Sequence, residues 1–199
     1  MSSPGPDGGT RRVKGELFVD YVRMLRGHKG VDWSRHLQPG DVSYLVRRIE
    51  PGEWYPMESF ERMGLAILAE IAAGDLETVR AFGRASIDWL AQKHPDLIAP
   101  RDPRDTLMRF RVLRSTFFDY PALELASASD GEAVLRVSYG MSAPAEEAAS
   151  WQTLGFFERL LQVAGASDVQ AWFSSKSWAG SATTEVQLRW TDATSSPRR

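Results

Sequence analysis

From Trp151 onward, apolar and polar positions sort onto opposite halves of a helical wheel. Leu154, Phe156, Phe157, Leu160, Leu161, Val163 and Ala164 take one half, and Gln152, Glu158, Arg159 and Gln162 take the other. At about 1.5–3 kcal/mol per large apolar side chain buried, the apolar half is worth on the order of 10 kcal/mol before entropy. Such a helix must lie on something. Gly165 ends it, because a residue without a Cβ enters the left-handed conformation cheaply. Two alternating runs follow. Val169, Ala171 and Phe173 share one face of the first strand, and Thr184, Val186, Leu188 and Trp190 share one face of the second. Between them the stretch 174–183 holds Gly180 and four serines, which predicts a loop or wide hairpin connection.

Upstream the pattern is helical. Phe18, Tyr21, Val22 and Leu25 predict a first helix from about Lys14 to Arg26, broken by Gly27 and Gly30. Asp41, after Pro39-Gly40, is placed to cap a second helix with Val42, Leu45, Val46 and Ile49 on one side, closed by Pro51-Gly52. Phe60, Met63, Gly64, Ile67, Leu68 and Ile71 give the clearest helical repeat, with Pro56 in the first turn. Gly74 stops that helix and Asp75 caps a fourth, which carries Val79, Phe82, Gly83, Ser86, Trp89 and Leu90 as far as Pro95. Asp102-Pro103 opens a fifth, running to about Phe118.

Residues 121–139 form a hairpin. A two-residue Asp130-Gly131 turn sets Leu125 opposite Arg136 and mixes the faces. A three-residue loop, Ser129-Asp130-Gly131 with Gly131 left-handed, pairs Leu125 with Leu135, Leu123 with Val137 and Glu124 with Arg136. The second register is the one expected. The chain therefore reads as α+β: N-terminal helices plus an antiparallel sheet of about four strands, with a C-terminal helix packed across it. One domain is expected over residues 13–190, with a disordered leader at 1–12 and a disordered tail at 191–199.

Composition removes more chemistry than it suggests. A chain of 199 residues at 43% hydrophobic can bury a real core. A formal charge of −2 offers no basic field for nucleic acid. The absence of cysteine excludes disulfides, zinc–thiolate sites and a cysteine nucleophile. No apolar run reaches the roughly 18–20 residues of a membrane span, and no signal peptide is visible, so a cytoplasmic protein is expected.

Three stretches carry a resemblance: VKGELFVDY near the start, EWYPMESF before the clearest helix, and GFFERLLQVAGASDVQAWF with AGSATTEVQLRW at the end. With these the chain resembles a paralogous family centred on myxobacteria that has no assigned biochemical function. More distantly it is similar to the superfamily of 4-vinyl-reductase-like domains, heme-NO-binding sensor domains and TRAPP vesicle-tethering subunits. The resemblance spans roughly Val13 to Trp190 and implies a non-catalytic ligand-binding or docking domain. Heme-binding members use a histidine ligand and a Tyr-x-Ser-x-Arg run for the heme carboxylates. His94 lies at a corresponding place, but the run is missing, and so are the cysteines that 4-vinyl-reductase-like domains carry in the last hairpin. Neither heme nor a metal is expected.

The remaining candidates come from residue type and position. His28, His36 and His94 are scattered, with no i, i+4 pair, and read as surface or helix-end residues. No Gly-x-Ser-x-Gly elbow and no glycine-rich phosphate loop is present. Arg114 falls among Leu107, Phe110, Phe117 and Phe118 on the apolar arc of the fifth helix. It must pair with a carboxylate, reach along its stem to water, or meet an anionic ligand head. Trp54, Tyr55, Trp89, and Trp172 with Trp178 are the aromatic candidates for a ligand pocket; core packing is the expected fate of Trp89 and Trp190, and Trp54, Tyr55 and Trp178 join Arg114 as the expected ligand-binding residues. The expected function is a non-enzymatic ligand-binding or sensory domain in bacterial signalling, taking a small apolar or anionic-headed molecule. The alternative is a protein-interaction subunit, with a protein partner or a second copy and no pocket. An acid–base enzyme using carboxylates or histidine is the third reading.

Overall fold

The computed structural model describes residues 10–192. Residues 1–9 and 193–199, most of the expected leader and tail, lie outside the described residues, while Arg12 opens the first strand and Thr191 closes the last. β1 (Arg12–Lys14) and β2 (Trp54–Pro56) pair antiparallel, three residues to a strand. Runs that short leave no alternation to read, so neither strand was expected. α1 (Gly15–Gly27) buries Phe18, Tyr21, Val22 and Leu25, as their spacing predicts.

The second helix departs from expectation. α2 is a single turn, Pro39–Val42, followed by a 3-10 turn at Ser43–Leu45. Gln38 caps it, and Asp41, 1% exposed, accepts two bonds from the Arg62 guanidinium at 2.6 and 3.0 Å. Burial pushes the Asp41 carboxyl up, but the bonds from Arg62, Ser59 and the Gln38 amide together hold it below its ordinary value. Because the helix tightens after one turn, Tyr44 faces inward and Val46 is left 87% exposed.

α3 (Met57–Ala66) continues into a π-helical turn at Ile67–Ile71. α4 (Leu76–Lys93) starts where Asp75 accepts from the Glu77 and Thr78 amides, and α5 (Pro103–Leu113) starts where Asp102 accepts from the Asp105 amide. A 3-10 turn at Arg114–Thr116 ends α5 earlier than the apolar pattern suggested.

β3 (Leu123–Ser129), β4 (Glu132–Val137), β5 (Ser167–Ser175) and β6 (Thr184–Thr191) make one antiparallel sheet in the order β3-β4-β6-β5. The expected pairs Leu125–Leu135, Leu123–Val137 and Glu124–Arg136 all form. Their cause differs from the expected loop. The turn is the two-residue Asp130-Gly131, with Ser129 opposite Glu132, and Gly131 takes φ +83°. A bulge at Ala126, between Leu125 and Ser127, then restores the apolar face.

α6 (Ala143–Val163) starts eight residues before Trp151 and crosses the inner face of β5 and β6. Leu154, Phe157, Leu160 and Leu161 are buried there with Leu135, Val186 and Leu188. α4 lies on the opposite side of α6. Glu158, expected on the polar half of α6, is buried at that contact and paired with Arg80 and Arg84 of α4. At the crossing the helices meet backbone to backbone. A Cβ on Gly83 would stand 1.9 Å from the Gln152 carbonyl oxygen, and one on Gly155 would stand 2.0 Å from that of Arg80. Neither glycine can gain a carbon without parting the helices. Gly155→Ala should therefore cost about 1–3 kcal/mol in urea denaturation, and Gly83→Ala a similar amount. Wild-type stability in both variants would contradict this packing.

Candidate functional site

α1 packs on α3 and α4 packs on α6, and the space left between α1 and α4 is a cavity of about 380 Å³. α1 contributes Leu17, Asp20, Tyr21, Arg23 and Met24, and α4 contributes Phe82, Ala85, Ser86 and Trp89. Ala149, Gln152, Thr153, Phe156 and Phe157 of α6 form the floor, and Phe60, Phe110, Phe117, Phe118, Leu123 and Tyr139 close the ends. Half of the lining is aromatic. The volume falls within the roughly 300–1,000 Å³ typical of small-molecule sites, and the wall has the apolar character of such sites.

The polar groups divide into an inner set and a rim. Inside, Tyr21 donates to Gln152 Oε1, and its ring stacks on Phe60 at 4.1 Å and 11°. Thr153 donates to the Ala149 carbonyl oxygen at 2.8 Å, so the Tyr139 hydroxyl is the donor in its 2.6 Å bond to Thr153. Ser86 donates back to the Gly83 carbonyl oxygen at 2.7 Å. At the rim Arg23 pairs with Asp20 at 3.3 Å, and Lys93 sits 4.0 Å from the centre of the Trp89 ring. Burial raises the Asp20 carboxyl above its ordinary value, outweighing Arg23 and Lys93. Past the rim, Glu16 of α1 meets His94 Nε2 at 2.8 Å.

The four residues singled out from the sequence lie apart from this cavity. Tyr55 is buried against Phe18, ring centres 4.5 Å apart, and its hydroxyl accepts from the Glu50 amide. Trp54 stands in β2 beneath the Lys14 ammonium, 4.4 Å away. Trp178 packs edge-on against Phe173 in the turn between β5 and β6. Arg114 lies between Phe110, Leu123, Glu124 and Phe157, where its occluded Nε has no partner among the described residues. The lining side chains that sequence reasoning missed, Gln152 and Phe82 among them, fit amphipathic helices equally well with or without a cavity. Trp89, one of the aromatic candidates, was assigned to core packing.

No family model matches the chain, and no curated protein does. Solved structures do. An H-NOX protein from S. oneidensis in the Fe(II)NO ligation state is 14% identical, with a TM-score of 0.59 over 90% of this chain and 99% of its own. A mutant of the T. Tengcongensis H-NOX is 14% identical, with 0.60 over 92% and 100%. The Fe(II) unliganded H-NOX protein from K. algicida is 11% identical, with 0.63 over 92% and 99%. At these identities the likeness is one of fold: this chain has the α+β fold of H-NOX domains.

The inner phenols give the site a pH signature. Burial pushes the Tyr21 and Tyr139 hydroxyls well above their ordinary value. Above about pH 10 the folded state then holds protons that the unfolded chain releases, so these groups cost nothing below that pH and erode stability above it. The urea midpoint is expected to fall as pH rises past about 10, and a Tyr21→Phe, Tyr139→Phe double variant to flatten that fall. An identical alkaline limb in the double variant would count against buried phenols.

Proposed function

We propose that this protein is a non-enzymatic ligand-binding domain of sensory type, holding a small apolar molecule between α1 and α4. One observation carries the reading: a cavity of about 380 Å³ with an aromatic wall, in a fold whose solved examples are named for their ligation states. A cavity of about 150 Å³ already admits benzene, so this one has room for two fused rings. The polar groups support binding over catalysis. Ser86 and Thr153 both return their protons to helix carbonyls, leaving no nucleophile with a base beside it. Among the described residues no three His, Cys, Asp or Glu side chains gather as a metal site.

Heme is the group the neighbouring structures suggest, heme distortion in the H-NOX family being the subject of one of them. This chain's residues do not fit it. The wall offers no histidine or cysteine; Met24 is its one thioether, and burial disfavours both phenolates. His94 is not part of the wall and holds Glu16 instead. At the rim the Arg23 guanidinium is already paired with Asp20, a poor reception for heme carboxylates.

An anionic-headed ligand would have to displace Asp20 from Arg23 to seat its head at the rim, which favours the apolar molecule. Arg114, Trp54, Tyr55 and Trp178 take no part in this reading. The rival interaction subunit would want a filled core, and the cavity weighs against it. No helix among the described residues is long and apolar enough to cross a membrane, and we place the protein in cytoplasmic signalling.

Native mass spectrometry of the gently purified full chain is expected to show a complex with a small organic molecule, without a Soret band. Ser86→Trp, which fills the cavity from α4, should abolish that complex. A Soret band saturating at one heme per chain would overturn the account of the lining, and a bare chain that takes up no apolar probe would overturn the ligand site.

A further inference from the structure

Among the described residues of the cavity's inner wall, the Gln152 side-chain amide keeps a hydrogen-bond donor unspent. Gln152 projects from α6 one turn before Phe156, and its backbone is fixed where Gly83 presses on its carbonyl. Its Oε1 takes the Tyr21 proton, while its Nε2 has no partner among the described residues and is not among the occluded unpaired atoms. Every other inner hydroxyl has given its proton away: Tyr139 to Thr153, Thr153 to Ala149, Ser86 to Gly83. A phenol donating to an amide oxygen polarises that amide and makes its N–H groups better donors. The same bond, with the stack of Tyr21 on Phe60, fixes where those N–H groups point.

Charge is confined to the rim. Asp20 and Arg23 are paired there, and nothing deeper in the wall is ionised. A carboxylate or ammonium carried inward would lose its water without meeting a counter-ion, which is costly. A wholly apolar ligand would leave the Gln152 amide dry and unpaired, which also costs free energy.

We propose that the cavity selects a neutral, largely aromatic molecule bearing one hydrogen-bond acceptor, a ketone or similar carbonyl, docked on the Gln152 side-chain amide. This rests on the cavity being a ligand site and goes on to name the ligand's chemistry and the residue that reads it. Gln152 is a specificity residue: it orients and discriminates, while the rings of Phe82, Trp89, Phe117 and Phe156 supply most of the contact.

The test uses the full chain and three fluorescent or absorbing probes: prodan, which is a dimethylaminonaphthalene with one ketone; the same dimethylaminonaphthalene without the ketone; and naphthoate. Prodan is expected to bind about tenfold more tightly than its ketone-free analogue, the worth of one good hydrogen bond in a dry site. Its bound emission should show the red shift of a hydrogen-bonded carbonyl. Gln152→Leu should remove that advantage and shift the bound emission to the blue, while the ketone-free probe, no longer leaving an amide unpaired, binds more tightly than to the wild type. Should that variant fail to fold, the wild-type emission and the ratio of the two affinities still decide. Equal affinities in the wild type, or a red shift that survives Gln152→Leu, would overturn the assignment to Gln152. Tighter binding of naphthoate would overturn the neutral class. If none of the probes binds, or Ser86→Trp displaces none of them, the ligand site itself fails rather than its chemistry.

Discussion

α4 and α6 touch backbone to backbone at Gly83 and Gly155, and that contact sets the spacing of the whole helical layer. Two helices with side chains between them stand about 8–10 Å apart, and small residues at the crossing let them close further. The Glu158 carboxylate, shared by Arg80 and Arg84, fastens the same crossing at a second point. α6 is meanwhile held on the sheet by Phe157, Leu160 and Leu161, so α4 has no freedom to move outward. α1 is tied elsewhere, to β1, β2 and α3. With α4 drawn to α6 and α1 drawn to α3, the ground between α1 and α4 stays open. The cavity is a consequence of where the glycines are.

The fold is shared with H-NOX domains at 11–14% identity, and what this chain holds inside it is set by its own side chains. The scaffold fixes a volume between the helical layers and the sheet, and the side chains decide what can occupy it. Here the occupants of the wall are rings, two buried phenols and an amide. The paired charges at the rim screen the opening, and Asp20, raised by its own burial, marks the border between water and the apolar interior.

The sequence was most legible where one face of an element meets the core. The alternation of Thr184, Val186, Leu188 and Trp190 located β6, and the demand that Leu125 meet Leu135 fixed the register of the first hairpin. The turn that delivers this register was misread, because a bulge at Ala126 and an extra loop residue satisfy the same apolar constraint. Asp41 misled in another way. A carboxylate near a helix start looks like a cap, and only its long-range bonds to Arg62 show it as a buried anchor. The site was the least legible part. A phenylalanine facing a void and one facing another side chain have the same helical spacing, so Phe82 and Phe156 carried no mark of their place on the wall. Arg114, conspicuous on a wheel, sits in a crevice with no room for a ligand.

The central claim is that α1 stands off α4 over an apolar space that the packing of α4 on α6 keeps open. A crystal structure determined under xenon pressure examines it directly, because xenon enters dry apolar cavities and scatters strongly. Xenon bound among Phe82, Trp89, Phe117 and Phe156, with α1 and α4 in the positions described here, is the expected result. A closed gap, with α1 collapsed against α4 and no xenon between them, would contradict the account.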